Sequence, residues 1–96
     1  MDKINAVHVN KNDSCVVVTE AVKKGDTISF YTGDGDVESL VVRDDIPIYH
    51  KVAVVACNEG DFVIKYGEHI GYATKTIAKG NHVHTHNIRP VGELRK

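Results

Sequence analysis

Histidines are the residues in this chain whose spacing is best suited to chemistry. There are six, and three of them alternate within residues 82–88, at His82, His84 and His86. On a strand such residues share one face, about 6.5–7 Å apart at Cα, whereas on a helix neighbours in this pattern diverge by about 200°. Neutral imidazoles in a His-x-His pair bind divalent metals or hold carboxylates. The run therefore predicts either a ligand site on a strand or a solvated polar face.

No cysteine or carboxylate lies beside this run to complete a zinc-type ligand set. Any metal held there needs ligands from elsewhere. Two further segments carry suitable side chains, namely His50-Lys51 after a proline-bearing turn and Lys65-Tyr66 beside two glycines. Lysine is a point charge suited to a carboxylate, and the tyrosine hydroxyl donates or accepts a hydrogen bond. Each pair alone is more typical of an ordinary polar surface than of a binding site.

The elements that must position these residues are strands. Fifteen Val, eight Ile and six Thr stand against two Leu, and branched Cβ atoms favour strands over helices. The pattern predicts an all-β chain with strands at residues 15–19, 27–31, 38–43, 51–57, 62–66 and 82–88. Residues 33–36, Gly-Asp-Gly-Asp, predict a hairpin turn.

A short phrase recurs between the predicted strands, in residues 20–28, 55–63 and 76–83. Each copy has an apolar residue, polar residues, Gly-Asp or Gly-Asn, and then a new strand. Glycine tolerates positive φ, and the Asp or Asn side chain can bond the turn backbone. The phrase therefore predicts three sharp corners of one folded sheet.

Composition excludes several classes of protein. A chain of 96 residues with a formal charge of −1 is one soluble domain without a global field for nucleic acid or anionic lipid, and it lacks Trp and any basic stripe. No apolar run approaches the ~18–20 residues of a membrane span. Without an export signal, Cys15 and Cys57 are expected to be buried, inert thiols and the chain to be cytoplasmic.

Ordered motif blocks carry a family likeness over residues 13–88. Asp45-Ile46-Pro47 … His50-Lys51-Val52-Ala53 is followed by Val63-Ile64-Lys65-Tyr66-Gly67, and then by His82-Val83-His84-Thr85-His86-Asn87. These blocks resemble the SAF domain of altronate dehydratases, which also occurs as a separate small subunit in split altronate dehydratases and in sulfolactate sulfo-lyase. The resemblance implies a β-clip fold, a long sheet folded over on itself.

The resemblance also implies site residues and a cofactor. A divalent metal, iron(II) or manganese, would be shared with a partner subunit and held by His84 and His86. Substrate would be held by residues at the family's motif positions: His50, Lys51, Lys65, Tyr66 and Asn87. Two positions depart from the family pattern, since Tyr49 replaces a glycine and His82 occupies a spacer that is usually not histidine.

The leading hypothesis is a small subunit that completes the active site of a larger catalytic lyase subunit and dehydrates a sugar acid, as an altronate-type hydro-lyase. Elimination of water needs a base, an acid and a full metal shell, more than one small domain (residues 1–96, with 89–96 a short tail) is expected to supply. The alternatives are the small subunit of a sulfolactate sulfo-lyase, a stand-alone sugar-acid-binding module, and a piece of a fused dehydratase that self-associates in isolation.

Overall fold

A computed structural model describes residues 3–10, 12–32, 35–65 and 67–90. Within these ranges the chain forms nine strands and no helix, which confirms the all-β prediction and is consistent with a β-clip. No helix there is long and apolar enough to cross a membrane. The strands are β1 (Ala6–Val7), β2 (Cys15–Val18), β3 (Thr27–Tyr31), β4 (Val37–Val41), β5 (Lys51–Ala53), β6 (Phe62–Lys65), β7 (Glu68–Ala73), β8 (His82–Val83) and β9 (Ile88–Pro90).

The strands form three antiparallel sheets. The largest has the order β1-β2-β5-β8, a second consists of β3 and β4, and the third has the order β6-β7-β9. The β3–β4 pairing confirms the predicted hairpin, although Gly33 and Asp34 at its tip lie outside the described residues. In the first sheet Lys51 pairs with Val83, and Val52 with His82. This register brings the segments that carry His50 and the histidine run side by side.

The recurring phrase forms a corner turn, and the fold contains four of them in the described residues: 22–26, 46–50, 57–61 and 77–81. The turns pair through their first residues, Val22 with Ile46 and Cys57 with Ile77. The three predicted corners are confirmed as turns. The fourth, residues 46–50, is the proline-bearing turn expected before His50; it was not recognised as a copy of the phrase because Tyr49 stands where the other three turns have glycine.

Each corner turn has a left-handed fourth residue. The glycines in three of them have φ of 92–96°, and Tyr49 in the second has φ of 67°. In each turn, the N–H of the fourth residue donates a hydrogen bond to the backbone of a residue outside the turn. The C=O of the fifth residue accepts a hydrogen bond from the N–H of that same residue. In the second turn the Tyr49 N–H donates to Val18 O at 2.9 Å, and the Val18 N–H donates to His50 O at 3.0 Å. The turns thereby fasten onto the ends of strands.

Two apolar clusters fill the interior, and β2 contributes to both because its side chains alternate between faces. Val16 and Val18 pack in the cluster that contains Phe30. Cys15 packs in the other, around Val63. The predicted strand at residues 51–57 is shorter than expected, since it ends at Ala53; the next two N–H groups both donate to Ser14 O.

Both cysteines are buried, as expected, with Cys15 fully inaccessible. Burial raises the pKa of the Cys15 thiol to about 11 and also raises the pKa of Cys57. Because the thiolate is the reactive form, we expect no reaction of the native chain with Ellman's reagent at pH 8, and two reactive thiols after unfolding in urea. A thiol that reacts rapidly in the native chain would contradict the structure.

Candidate metal centre

Three imidazoles converge on one point of the surface. The ligand nitrogens of His50, His82 and His84, the histidine triad, all lie within 4.8 Å of one another. His50 Nδ1 and His82 Nε2 are 2.9 Å apart, and the His50 and His84 ring centroids are 4.7 Å apart. His50 and His82 are half-buried, whereas His84 is exposed. The triad is therefore anchored on one side and open to solvent on the other.

His50 reaches the triad because of its place in the second corner turn. In the other three turns the fifth residue is Asp26, Asp61 or Asn81, and its side chain accepts a hydrogen bond of 2.8–2.9 Å from the N–H of the second residue. In the second turn the second residue is Pro47, which has no N–H to donate. The side chain of His50 thus has no capping bond to make and is free to face the other imidazoles.

Tyr49 adopts an unfavourable backbone conformation immediately before His50. Its φ is 67°. Tyr49 is also 70% exposed, so removal of its ring loses little packing. The left-handed conformation costs an L-residue roughly 1–2 kcal/mol. We expect Tyr49→Gly to raise the free energy of unfolding by about 1 kcal/mol, measured by urea denaturation.

The neighbouring substitution Ile48→Gly is the matched control for Tyr49→Gly. Ile48 is also exposed but lies outside the left-handed region. Glycine there only adds freedom to the unfolded chain, so stability should fall. Equal losses of stability in the two variants would mean that the Tyr49 ring stabilises the turn more than its backbone strains it.

The histidine run is not the continuous strand predicted for residues 82–88. Strand β8 ends at Val83, and residues 84–87 form a turn. The side chain of Asn87, only 3% exposed, closes it: Oδ1 accepts from the His84 N–H at 3.0 Å and Nδ2 donates to His82 O at 2.7 Å. The expectation of three histidines in a row on one strand face is therefore wrong, because this side chain replaces strand pairing.

The turn changes which histidines meet. Continuing the β5–β8 register by one residue places His50 opposite His84, so the predicted metal ligand His84 joins the triad. His86, the other predicted ligand, lies beside His82, with ring centroids 5.2 Å apart, and is not a member of the triad. His82 occupies a position that is usually not histidine in the family pattern, yet it contacts His50, His84 and His86. Metal binding by His86 stays a prediction.

Asp44 holds the backbone of the triad residue His82 through a hydrogen bond. Its Oδ2 accepts from the His82 N–H at 2.9 Å and from Asn81 Nδ2 at 3.0 Å. The bond from the His82 backbone is the main cause that lowers the pKa of Asp44, so this carboxylate stays ionised. Desolvation, followed by the neighbouring histidines, lowers the pKa of His82. His82 is thus held in the neutral form, which is the form that binds metal.

The donor set fits a divalent transition metal. His50 Nδ1 and His82 Nε2 share a hydrogen bond of 2.9 Å, and an ion held by both nitrogens would take the place of its proton. Imidazole suits iron, zinc, copper and nickel. Three protein nitrogens leave coordination positions for ligands from outside the domain.

The predicted substrate-binding residues fall in different surroundings. Lys51 is half-buried on β5, where it pairs with Val83 and therefore faces away from His50 and His82. Lys65 is fully buried, with Nζ 3.3 Å from Asp13 Oδ2, and the amide of Asn87 is engaged by backbone at both ends. Tyr66 lies outside the described residues. The structure thus makes His50 a member of the triad, places Lys51 on the opposite face of β5, and gives Lys65 an internal partner. Substrate binding by these residues stays a prediction.

Comparison with known proteins gives the family. Residues 4–90 match the model of the altronate/galactarate dehydratase SAF domain. The chain is 48% identical to (2R)-sulfolactate sulfo-lyase subunit alpha of Paracoccus pantotrophus over 58 residues, which are 60% of this chain and 87% of that subunit. Its identity to the subunit alpha of Chromohalobacter salexigens is 40% over 75 residues, 77% of this chain and 80% of that subunit.

A larger relative matches only in part. The chain is 32% identical to altronate dehydratase of Bacillus subtilis over 83 residues, which are 86% of this chain but only 16% of that enzyme. These relatives are named as a dehydratase and as subunits of a sulfo-lyase, and both are lyases by name. With a family model that matches nearly the whole described fold, this chain belongs to the altronate/galactarate dehydratase SAF domain family.

Proposed function

We propose that this chain is the SAF-domain small subunit of a two-chain, metal-dependent lyase, and that its histidine triad contributes ligands to an active site completed by a larger subunit. The observation that carries this proposal is the incomplete ligand set. Within residues 3–10, 12–32, 35–65 and 67–90, the triad is the one group of three His, Cys, Asp or Glu side chains close enough to hold an ion. Its three nitrogens and open, exposed side suit a metal shared across an interface.

The reaction class follows from the family. Elimination from a hydroxy acid requires removal of the proton next to the carboxylate and assistance to the departing group. A bound divalent metal supplies Lewis-acid assistance. This chain would hold that ion with His50, His82 and His84, while Asp44 fixes the position of His82 through its backbone N–H. The proton-transferring base would come from the larger subunit.

Altronate-type dehydration is the first candidate reaction, with iron(II) favoured over manganese because imidazole suits iron better. Carbon–sulfur cleavage of sulfolactate is the second candidate. It is favoured by one observation, that the chain covers 80% and 87% of the length of two sulfo-lyase alpha subunits. Those proteins are subunits by name, which also supports a partner chain for this protein.

Co-purification tests the subunit proposal. The chain, tagged at its N-terminus, is recovered from its native lysate, and what accompanies it is identified by mass spectrometry. We expect a larger partner in stoichiometric amount, and lyase activity of the complex on altronate, galactarate or (2R)-sulfolactate. Full activity of the partner without this chain would overturn the proposal. Recovery of the chain alone would favour a stand-alone binding module instead.

A further inference from the structure

A polar cavity of about 470 Å³ adjoins the triad and shares only His82 with it. Lys75 and Thr76 line it from the segment between β7 and the fourth corner turn, and His86 lines it from the turn after β8. Asp44 also lines it. None of the roles described above uses Lys75 or Thr76. The cavity therefore combines an exposed cation, a hydroxyl and a carboxylate next to the candidate metal ligands.

Asp44 presents an acceptor to this cavity. Among the described residues, both hydrogen bonds to its carboxylate fall on Oδ2, which leaves Oδ1 available to a ligand. An ionised carboxylate accepts hydrogen bonds only, so Oδ1 would pair with a hydroxyl and repel a second anionic group. Lys75, exposed at the rim, is a point charge suited to a carboxylate.

We propose that this cavity binds a polyhydroxy monocarboxylate, with the carboxylate on Lys75 Nζ and the Thr76 hydroxyl, and a chain hydroxyl donating to Asp44 Oδ1. The bound molecule would lie against His82 and so reach the metal side of the site. The inference rests on the proposed function and refines it. It makes Lys75, rather than Lys51 or Lys65, the carboxylate-binding lysine, and it favours an aldonate over dianions such as galactarate and sulfolactate.

Titration of the ¹⁵N-labelled chain with altronate, followed by NMR, tests the proposal. We expect amide shifts confined to the cavity, at Lys75, Thr76, His82 and His86. Lys75→Ala should weaken binding about tenfold, the loss of one charge-assisted hydrogen bond. Lys79→Ala is the matched control, because Lys79 is also exposed but does not line the cavity, and it should bind altronate like the unmodified chain.

Selectivity gives a second readout that a mere loss of fold would not mimic. Asp44→Asn keeps an acceptor oxygen for the His82 N–H but removes the negative charge. The ratio of sulfolactate to altronate affinity should therefore rise severalfold in this variant. An unchanged ratio, shifts centred elsewhere, or a Lys75→Ala variant that binds altronate normally would each overturn the proposal.

The two proposals fail in different ways. If the chain binds altronate at this cavity but has no lyase partner, the cavity assignment stands and the subunit function falls. If an active complex shows the same KM for its substrate with Lys75→Ala and Lys79→Ala, and no cavity amide shifts at saturating altronate, the cavity assignment falls and the subunit function stands.

Discussion

Replacement of His50, His82 or His84 by Ala is expected to weaken Zn²⁺ binding to this chain by about tenfold to a hundredfold in each case. Each change removes one of three nitrogens that lie within 4.8 Å of one another, and even partners behind metal ligands are worth about 10–100-fold in affinity. Isothermal titration calorimetry with Zn²⁺ alone measures the effect without a partner subunit or substrate.

Two further histidines sharpen this experiment. His69 stacks on Phe62, with ring centroids 4.4 Å apart, on a different sheet from the triad, so His69→Ala should bind Zn²⁺ like the unmodified chain. The variant His86→Ala distinguishes the ligand set seen in the structure from the one predicted from sequence. The triad predicts little change, whereas the pair His84 and His86 predicted from sequence requires a loss as large as that of His84→Ala.

The same binding should depend on pH with a definite sign. Metal competes with protons for the imidazole nitrogens. The affinity for Zn²⁺ should therefore fall as the pH drops below about 6.5, the ordinary pKa of histidine. Desolvation lowers the pKa of His82, so this ring stays neutral to lower pH than an ordinary histidine does. Affinity that rises on acidification would exclude imidazole ligands.

The second large effect is expected at Asp13, far from the triad in sequence. Asp13→Ala should lower the free energy of unfolding by about 3–5 kcal/mol, since removal of one partner leaves the charge of the other buried and uncompensated. Asp13 and Lys65 are fully buried as an ion pair at 3.3 Å. The carboxylate also accepts from the Gly67 N–H at 2.8 Å and the Asn10 N–H at 3.1 Å. Urea denaturation measures the loss.

The exposed ion pair between Lys3 and Glu20 is the matched control. Its atoms are 2.6 Å apart, but the side chains are 73% and 41% exposed, and such pairs contribute little because water screens them. Glu20→Ala should change stability far less than Asp13→Ala does. Similar small losses in both variants would contradict the buried-pair account. The substrate role predicted for Lys65 from sequence would show instead as a raised KM of the active complex with Lys65→Met.

Composition was sufficient to predict the all-β fold, the β3–β4 hairpin and three of the four corner turns, because branched residues and Gly-Asp pairs act locally. The fourth turn was expected only as a proline-bearing turn and not as a copy of the phrase, because its left-handed residue is Tyr49 and a bulky residue gives no local sign of positive φ. The pairing of β5 with β8 joins residues about thirty positions apart. No local pattern reveals such a register, so the approach of His50 to His84 was not predictable from residue types.

The histidine site was predicted in part for a related reason. Alternating histidines are equally compatible with a strand and with a turn closed by a side chain, and the buried amide of Asn87 selects the turn. The buried position of Lys65 was not predictable for a similar reason. On a half-buried strand a lysine is expected to face solvent, but its carboxylate partner lies 52 residues earlier in the chain, where no spacing rule connects the two.

The four corner turns also bear on how a domain of this kind can acquire new binding sites. Each turn has an equivalent position, the residue after the left-handed one. In three of the four turns the side chain at this position accepts a hydrogen bond from the backbone of its own turn. A proline at the second position removes the bond and frees the side chain, as at His50. Divergence at two positions of a single turn can therefore convert a structural residue into a ligand while the other three turns hold the fold. The same exchange at Asp26 or Asp61 gives protein engineers a defined place to install a second site.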